Sequence, residues 1–334
     1  MTTRGRASKP CLLCMEPMVS GSVTGLFAGS GLVYDRAVHD GSADDRAVHD
    51  GSINAISEST RLHATLGGHR AIMGIINVTP DSFFPSSRYP EPGMAIERGM
   101  EMVAEGADIL DIGGESTRPG ASPVGEQEEM DRVLPVVGEL AKHARISIDT
   151  RKDAVAREAV RAGASIINDV SGSLYPVAAD HHAGWIAMHM KGDPQDMQES
   201  PTYSDVVAEV ESFLLDVASR AVDAGVEEVW IDPGIGFGKT LVHNVELLRA
   251  LPRLASHGFP VLVGTSRKSF LGVLGARHAG ETLDPSMRLS GSLATAVWAF
   301  MTGTSVVRVH DVRATREALT LLEAVAAQSP GFPR

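Results

Sequence analysis

Eight short apolar runs, at residues 71–78, 109–113, 145–149, 165–169, 185–190, 229–232, 261–266 and 306–310, alternate with segments of helical periodicity. The helical segments cover 94–105, 126–143, 153–162, 206–224, 242–255, 288–301 and 315–327, and the link at 174–184 is short and only weakly helical. Each run is apolar nearly throughout, not at every second position. That is the pattern of a strand buried on both faces, as in a parallel sheet. Eight such strands separated by helices over about 260 residues predict a (β/α)8 TIM barrel. A doubly wound open sheet is the competing architecture, but it usually needs fewer strands.

Residues 1–68 follow another pattern. Two identical octets, Asp35-Arg-Ala-Val-His-Asp-Gly-Ser42 and Asp45-Arg-Ala-Val-His-Asp-Gly-Ser52, lie in a stretch rich in Gly, Ser and Asp. Two copies of a ten-residue period cannot build a solenoid, which needs several packed units. We expect a mostly disordered extension over 1–68 and a barrel over 69–334. Cys11 and Cys14 are the only cysteines, and no second pair completes a zinc site. They and the paired His39 and His49 are read as parts of a solvated tail.

Composition narrows the function classes. The 334 residues carry a formal charge of −12, which argues against a nucleic-acid surface. No apolar run approaches the roughly 18 residues of a membrane helix. Two thiols make no disulfide framework, and a cytoplasmic setting is expected.

The stretch Trp230 to Thr240 contains a Gly-rich turn ending in Gly-Lys-Thr. A phosphate loop needs a Gly where this chain has Pro233, and the dinucleotide pattern fails because Lys239 takes its last Gly position. What remains is a carboxylate, Asp232, at a strand end, followed by backbone that lets a flat ligand close. The other strand ends are polar too. They carry Asn77, Gly113-Gly-Glu-Ser-Thr-Arg-Pro-Gly120, Asp149, Asn168-Asp169, Met188-His-Met190, Ser266-Arg-Lys-Ser269 and Arg308-Val-His-Asp311. In a barrel these ends gather on one face, where such enzymes place their sites.

The residue types fall into two groups. Asp149, Asn168, Asp232 and Lys268 suit a flat heterocycle rich in N–H groups, because an ionised carboxylate accepts two hydrogen bonds side by side. Asn77, Arg308 and His310 suit an anion, with Mg2+ as a companion, since magnesium takes few protein oxygens beside phosphate and water. A structural pairing of Arg308 with Asp311 or Glu115 is the plainer alternative. Thr117 and Arg118 lie in a loop able to swing over the site.

In these motifs, and in Met73-Gly-Ile-Ile-Asn-Val-Thr-Pro-Asp-Ser-Phe83, Asp111-Ile-Gly-Gly-Glu-Ser-Thr-Arg-Pro-Gly120 and Asp232-Pro-Gly-Ile-Gly-Phe-Gly-Lys239, the chain resembles the dihydropteroate synthases from about Ile72 to Val325. These are the folate-pathway enzymes that sulfonamides inhibit. The resemblance implies a (β/α)8 barrel, usually a homodimer. It implies condensation of p-aminobenzoate with 6-hydroxymethyl-7,8-dihydropterin pyrophosphate, giving 7,8-dihydropteroate and pyrophosphate. It also implies roles. Asp149, Asn168, Asp232 and Lys268 would hold the pterin, with Met188, Phe237 and Gly264 lining the pocket. Asn77, Arg308 and His310 would take the pyrophosphate, with Asn77 near Mg2+. Thr117, Arg118 and Pro119, with Phe83, Phe237, Ser266 and Lys268, would form the p-aminobenzoate site. Asp149, Lys268, Arg308 and His310 would carry the chemistry. The chain departs from the family in Ser82-Phe-Phe-Pro-Ser-Ser87, where Pro85 stands in place of an Asp that helps organise the loop. Two rival readings remain: a pterin-dependent methyltransferase of related barrel type, and a catalytically weak paralogue that binds pterin.

Overall fold

The computed structural model describes residues 70–79, 92–116, 123–193, 196–276, 278 and 280–327. The expectations for residues 1–68, including both cysteines and the repeat, lie outside this set, as do those for Phe83, Pro85, Thr117, Arg118 and Pro119.

Eight strands form one parallel sheet: β1 Ala71–Asn77, β2 Ile109–Gly113, β3 Arg145–Asp149, β4 Ile166–Asp169, β5 Gly184–Met188, β6 Val229–Asp232, β7 Leu262–Val263 and β8 Val306–Val309. Their order is β6-β5-β4-β3-β2-β1-β8-β7. A parallel bridge between Ile231 and Val261 joins the two ends, and the Ile231 amide donates to the Pro260 carbonyl at 3.0 Å. The sheet thus curls into a barrel, with the helices as its outer ring.

The apolar runs are continuous because both faces of each strand are buried. Outward residues such as Ile72, Leu110, Ile146, Ile167, Trp185, Ile231 and Val307 pack with the helices in one large core. Inward residues form a second, smaller core of Ala71, Met73, Ile109, Ile166, Ile186, Trp230, Leu262 and Val306. Side chains alternate along a strand, so two residues further on the inward face returns. There it carries Asp111, Asn168, Met188, Asp232 and Arg308, with Ser147 beside Asp111 in register. The barrel interior is therefore an apolar plug capped by a polar layer toward the C-terminal strand ends.

Several elements differ from the sequence expectation. The helix expected over 242–255 divides into Leu241–Arg249 and Leu251–Ala255. Pro252, in the first turn of the second piece, has no N–H to continue the ladder. Strand β7 has two residues, because the chain turns through Thr265–Lys268 with Arg267 at φ 57°. A helix at Ser269–Gly275 and a 3-10 turn at Pro285–Met287 were not expected. The helix after the Gly-rich turn begins at Leu241, one residue before the predicted 242. Thr240 Oγ1 accepts from the His243 amide at 3.3 Å, and His243 Nδ1 accepts from the Thr240 amide at 3.2 Å, a reciprocal cap.

Candidate active site

The polar layer is organised around Arg308. Its Nε donates to Asp111 Oδ2 at 2.5 Å and its Nη2 to Asp149 Oδ2 at 2.6 Å. Asn168 Nδ2 donates to the same Asp111 oxygen at 3.0 Å. Four strands thus meet in one charge network. Burial alone would lower the Arg308 pKa, but Asp111 and Asp149 outweigh it and hold the guanidinium charged. Burial raises the Asp149 pKa to about 7, against the pull of Arg308 and with Asp111 adding to the rise. The edge of Arg308 expected to face an anion is engaged with carboxylates. Binding an anion through that edge requires an exchange of partners. Neither alternative partner is used: Asp311 is held by Arg267 at 2.8 and 2.6 Å, and Glu115 by Arg151 and Lys152.

Across the mouth, Asp232 is buried at the end of β6 and accepts from the Gly234 amide at 2.7 Å. Burial raises its pKa, opposed chiefly by the Lys268 charge. Lys268 donates to the Ile235 carbonyl, and its ammonium lies 4.6 Å from the centre of the Phe237 ring. Burial lowers the Lys268 pKa to about 8, with Asp232 resisting. Met188 is the register partner of Asp232 and shares its inward face. Gly264 sits beside Arg308, where an added Cβ would lie 3.6 Å from the Arg308 Cβ.

The Gly-rich turn has a packing reason for its glycines. A Cβ on Gly234 would fall 1.9 Å from the His189 carbonyl oxygen, and one on Gly238 2.1 Å from that of Lys191. Both glycines have positive φ. The turn is pressed against the segment after β5, and Lys239 fastens it there. The Lys239 ammonium is buried and meets the Phe237 carbonyl at 2.9 Å, His189 Nδ1 at 3.0 Å and the His189 carbonyl at 3.2 Å. Burial lowers its pKa to about 7. Burial, then the Lys239 charge, lowers that of His189 to about 3, so the imidazole is neutral and accepts.

On the third side, Ser266 Oγ lies 3.1 Å from both His310 Nδ1 and the His310 amide. Asn77 ends β1 half-buried, opposite Gly113 in register. Among the described residues no group of three or more His, Cys, Asp or Glu is placed to hold a metal.

The structure brings Asp149, Asn168 and Arg308 into one network, Asp232, Lys268 and Phe237 onto a second wall, and Ser266 with His310 onto a third. Sequence reading missed Asp111 and Lys239 as parts of this site. Asp111 was legible in principle: it stands two residues after core Ile109 and two before Gly113, on the inward face. Asp169 points the other way. It accepts from the Ser173 and Leu174 amides at 2.7 and 2.6 Å and from Trp185 Nε1 at 3.2 Å, and so orders the turn after β4.

This geometry agrees with comparisons to known proteins. The family model described as pterin binding enzyme matches residues 73–310. The dihydropteroate synthase of Escherichia coli K12 is 45% identical over 264 residues, covering 77% of this chain and 92% of that protein. The dihydropteroate synthase of Thermus thermophilus in complex with 4-aminobenzoate superposes with a TM-score of 0.69 at 46% identity, covering 77% of this chain and 95% of that one. The same enzyme in complex with 6HMPPP gives a TM-score of 0.66 at 44% identity, covering 77% and 94%. With a family model matching residues 73–310 and this level of identity, the chain belongs to the pterin-binding dihydropteroate synthase family.

Proposed function

We propose that this chain condenses p-aminobenzoate with 6-hydroxymethyl-7,8-dihydropterin pyrophosphate, releasing pyrophosphate and forming 7,8-dihydropteroate for folate biosynthesis. The observation that carries it is the pairing of two polar walls, Asp149 with Asn168 and Asp232 with Lys268, across one barrel mouth beside His310. Relatives that bind 4-aminobenzoate and 6HMPPP supply the two halves of the reaction.

A flat pterin edge presents N–H donors, and Asp149, Asn168 and Asp232 present acceptors. Lys268 and Phe237 close its other side. The aniline nitrogen is neutral at pH 7, so no strong general base is needed. The demanding event is cleavage of the C–O bond to pyrophosphate, whose electron pair leaves on the pyrophosphate oxygen. Asp149 stabilises positive charge developing on the pterin. Arg308 and His310 take up leaving-group charge. The amine then forms the C–N bond and gives up a proton.

Asn77 offers one amide oxygen at the end of β1 near this mouth. A single protein oxygen fits Mg2+, which takes its remaining ligands from pyrophosphate and water. When bound, the ion would neutralise pyrophosphate charge. A homodimer fits the exposed side chains of Met287, Trp298 and Met301, which are 63%, 44% and 41% accessible. Light scattering tests that association.

The decisive experiment is pyrophosphate release measured with both substrates. Release that depends on p-aminobenzoate is expected. Pterin binding without such release would overturn the proposal in favour of a pterin binder.

A further inference from the structure

Gly113, Asp149 and Asn168 share one rung of the barrel wall. Asp111 lies one rung deeper, beside Ser147, with Ile166 of the apolar plug next along. Its side chain is wholly buried. The rung above lies between Asp111 and the mouth. Yet Oδ2 of Asp111 receives two side chains from other strands, Arg308 Nε at 2.5 Å and Asn168 Nδ2 at 3.0 Å. A single oxygen on β2 therefore sets the direction of a guanidinium from β8 and an amide from β4.

The same carboxylate is poorly built for cohesion. Its Oδ1 and the neighbouring Ser147 Oγ are both buried with no hydrogen-bond partner among the described residues. Removing a charge from water offsets most of what a buried ion pair gains, so such a pair adds little net stability while constraining geometry strongly. Both groups that Asp111 holds belong to the ligand-facing set, and Arg308 in turn grips Asp149. Losing Asp111 would leave Arg308 held by Asp149 alone and Asn168 without its side-chain acceptor.

Resting on the function proposed above, we propose that Asp111 is a positioning residue of the reaction, holding Arg308 and Asn168 in place from beneath the pterin half of the site. It touches no substrate and acts only through those two side chains. Its influence therefore falls on the pterin half of the site, while Ser266, assigned to the p-aminobenzoate half, is left in place, since its bonds run to His310.

The test uses the full-length enzyme and its neutral isostere, Asp111→Asn, with steady-state constants measured separately for each substrate. The kcat/KM for the pterin substrate should fall by about 100-fold, as expected when a misplaced group spoils alignment. The KM for p-aminobenzoate should stay within about twofold, whereas the melting temperature falls because the buried Arg308 charge keeps only one of its two carboxylates. The losses of Asp111→Asn and Asn168→Ala should also be non-additive, because one acts through the other. Should Asp111→Asn be insoluble, the smaller Asp111→Ser is read by the same pair of constants. Unchanged pterin constants, equal loss toward both substrates, or strict additivity with Asn168→Ala would each overturn the inference. A wild-type enzyme that releases no pyrophosphate sinks the functional reading itself, which the variants do not address.

Discussion

Lys239 and His189, fifty positions apart, meet with Nζ 3.0 Å from Nδ1, and this contact fastens the Gly-rich turn after β6 to the segment after β5. The ammonium spends its hydrogens on this nitrogen and two backbone carbonyls. Neighbouring bonds tighten the same seam. Tyr203 donates to the Gly238 carbonyl at 2.9 Å and Gln198 to that of Gly236 at 2.6 Å. The wall bearing Phe237 is thereby held rigid.

Lys239→Met should lower stability by about 2–3 kcal/mol, because buried acceptors are left unpaired. The pH dependence has a definite sign. Burial places the folded-state pKa near 7, below the ordinary 10.5, so the unfolded chain binds this proton more tightly. Between about pH 7 and 10.5 stability should rise with pH, by at most about 1.4 kcal/mol per unit for one proton. Denaturant titrations at several pH values would show the slope reduced in the variant. Lys268, lowered to about 8, should account for what slope remains.

Asp232→Asn should weaken a pterin analogue by roughly 1–3 kcal/mol. The change keeps shape and retains an oxygen for the Gly234 amide, but it turns one acceptor into a donor facing a ligand N–H. Calorimetric titration is the measurement. Unchanged affinity would remove Asp232 from the pocket.

Arg308→Lys separates a mere anion clamp from a keystone of the carboxylate network. A lone clamp would lose pyrophosphate binding and leave stability intact. The pairing with Asp111 and Asp149 predicts otherwise, since an ammonium cannot present the two-pronged edge. The melting temperature and the affinity for a pterin lacking pyrophosphate should both fall, with a stability loss of about 2 kcal/mol or more. A thermal melt alongside ligand titration decides it.

The pH–rate profile should show an acid limb near pH 7 in kcat/KM for the pterin substrate, because Asp149 must be ionised to stabilise a developing cation. The stability consequence runs the opposite way. The folded state holds the Asp149 proton more tightly than the unfolded chain does. This contribution is complete below about pH 4 and is lost as pH rises through about 7. An acid limb that stays near pH 4 would remove Asp149 from this role.

The barrel was legible because its signal is local. Apolar runs broken by helical stretches record burial on both strand faces, and strands such as 109–113, 145–149 and 229–232 begin and end where the pattern says. The helix break at Ala250 has a local cause in Pro252, although the sequence reading ran one helix over 242–255. The two-residue β7 was not legible. Its ending depends on how Arg267 turns to reach Asp311 and the Pro285 carbonyl, contacts made by distant segments.

The sequence by itself determined the barrel, the polar strand ends and the residue types at the mouth, because alternation and composition are written along the chain. Tertiary structure alone decided which of those residues act together. Asp111 joins Arg308 across 197 positions and Asn168 across 57, and Lys239 joins His189 across 50. Such pairings depend on strand register and on which rung of a closed barrel a side chain occupies. The energy of a buried charge depends on these distances and on burial, neither of which is visible until the sheet closes.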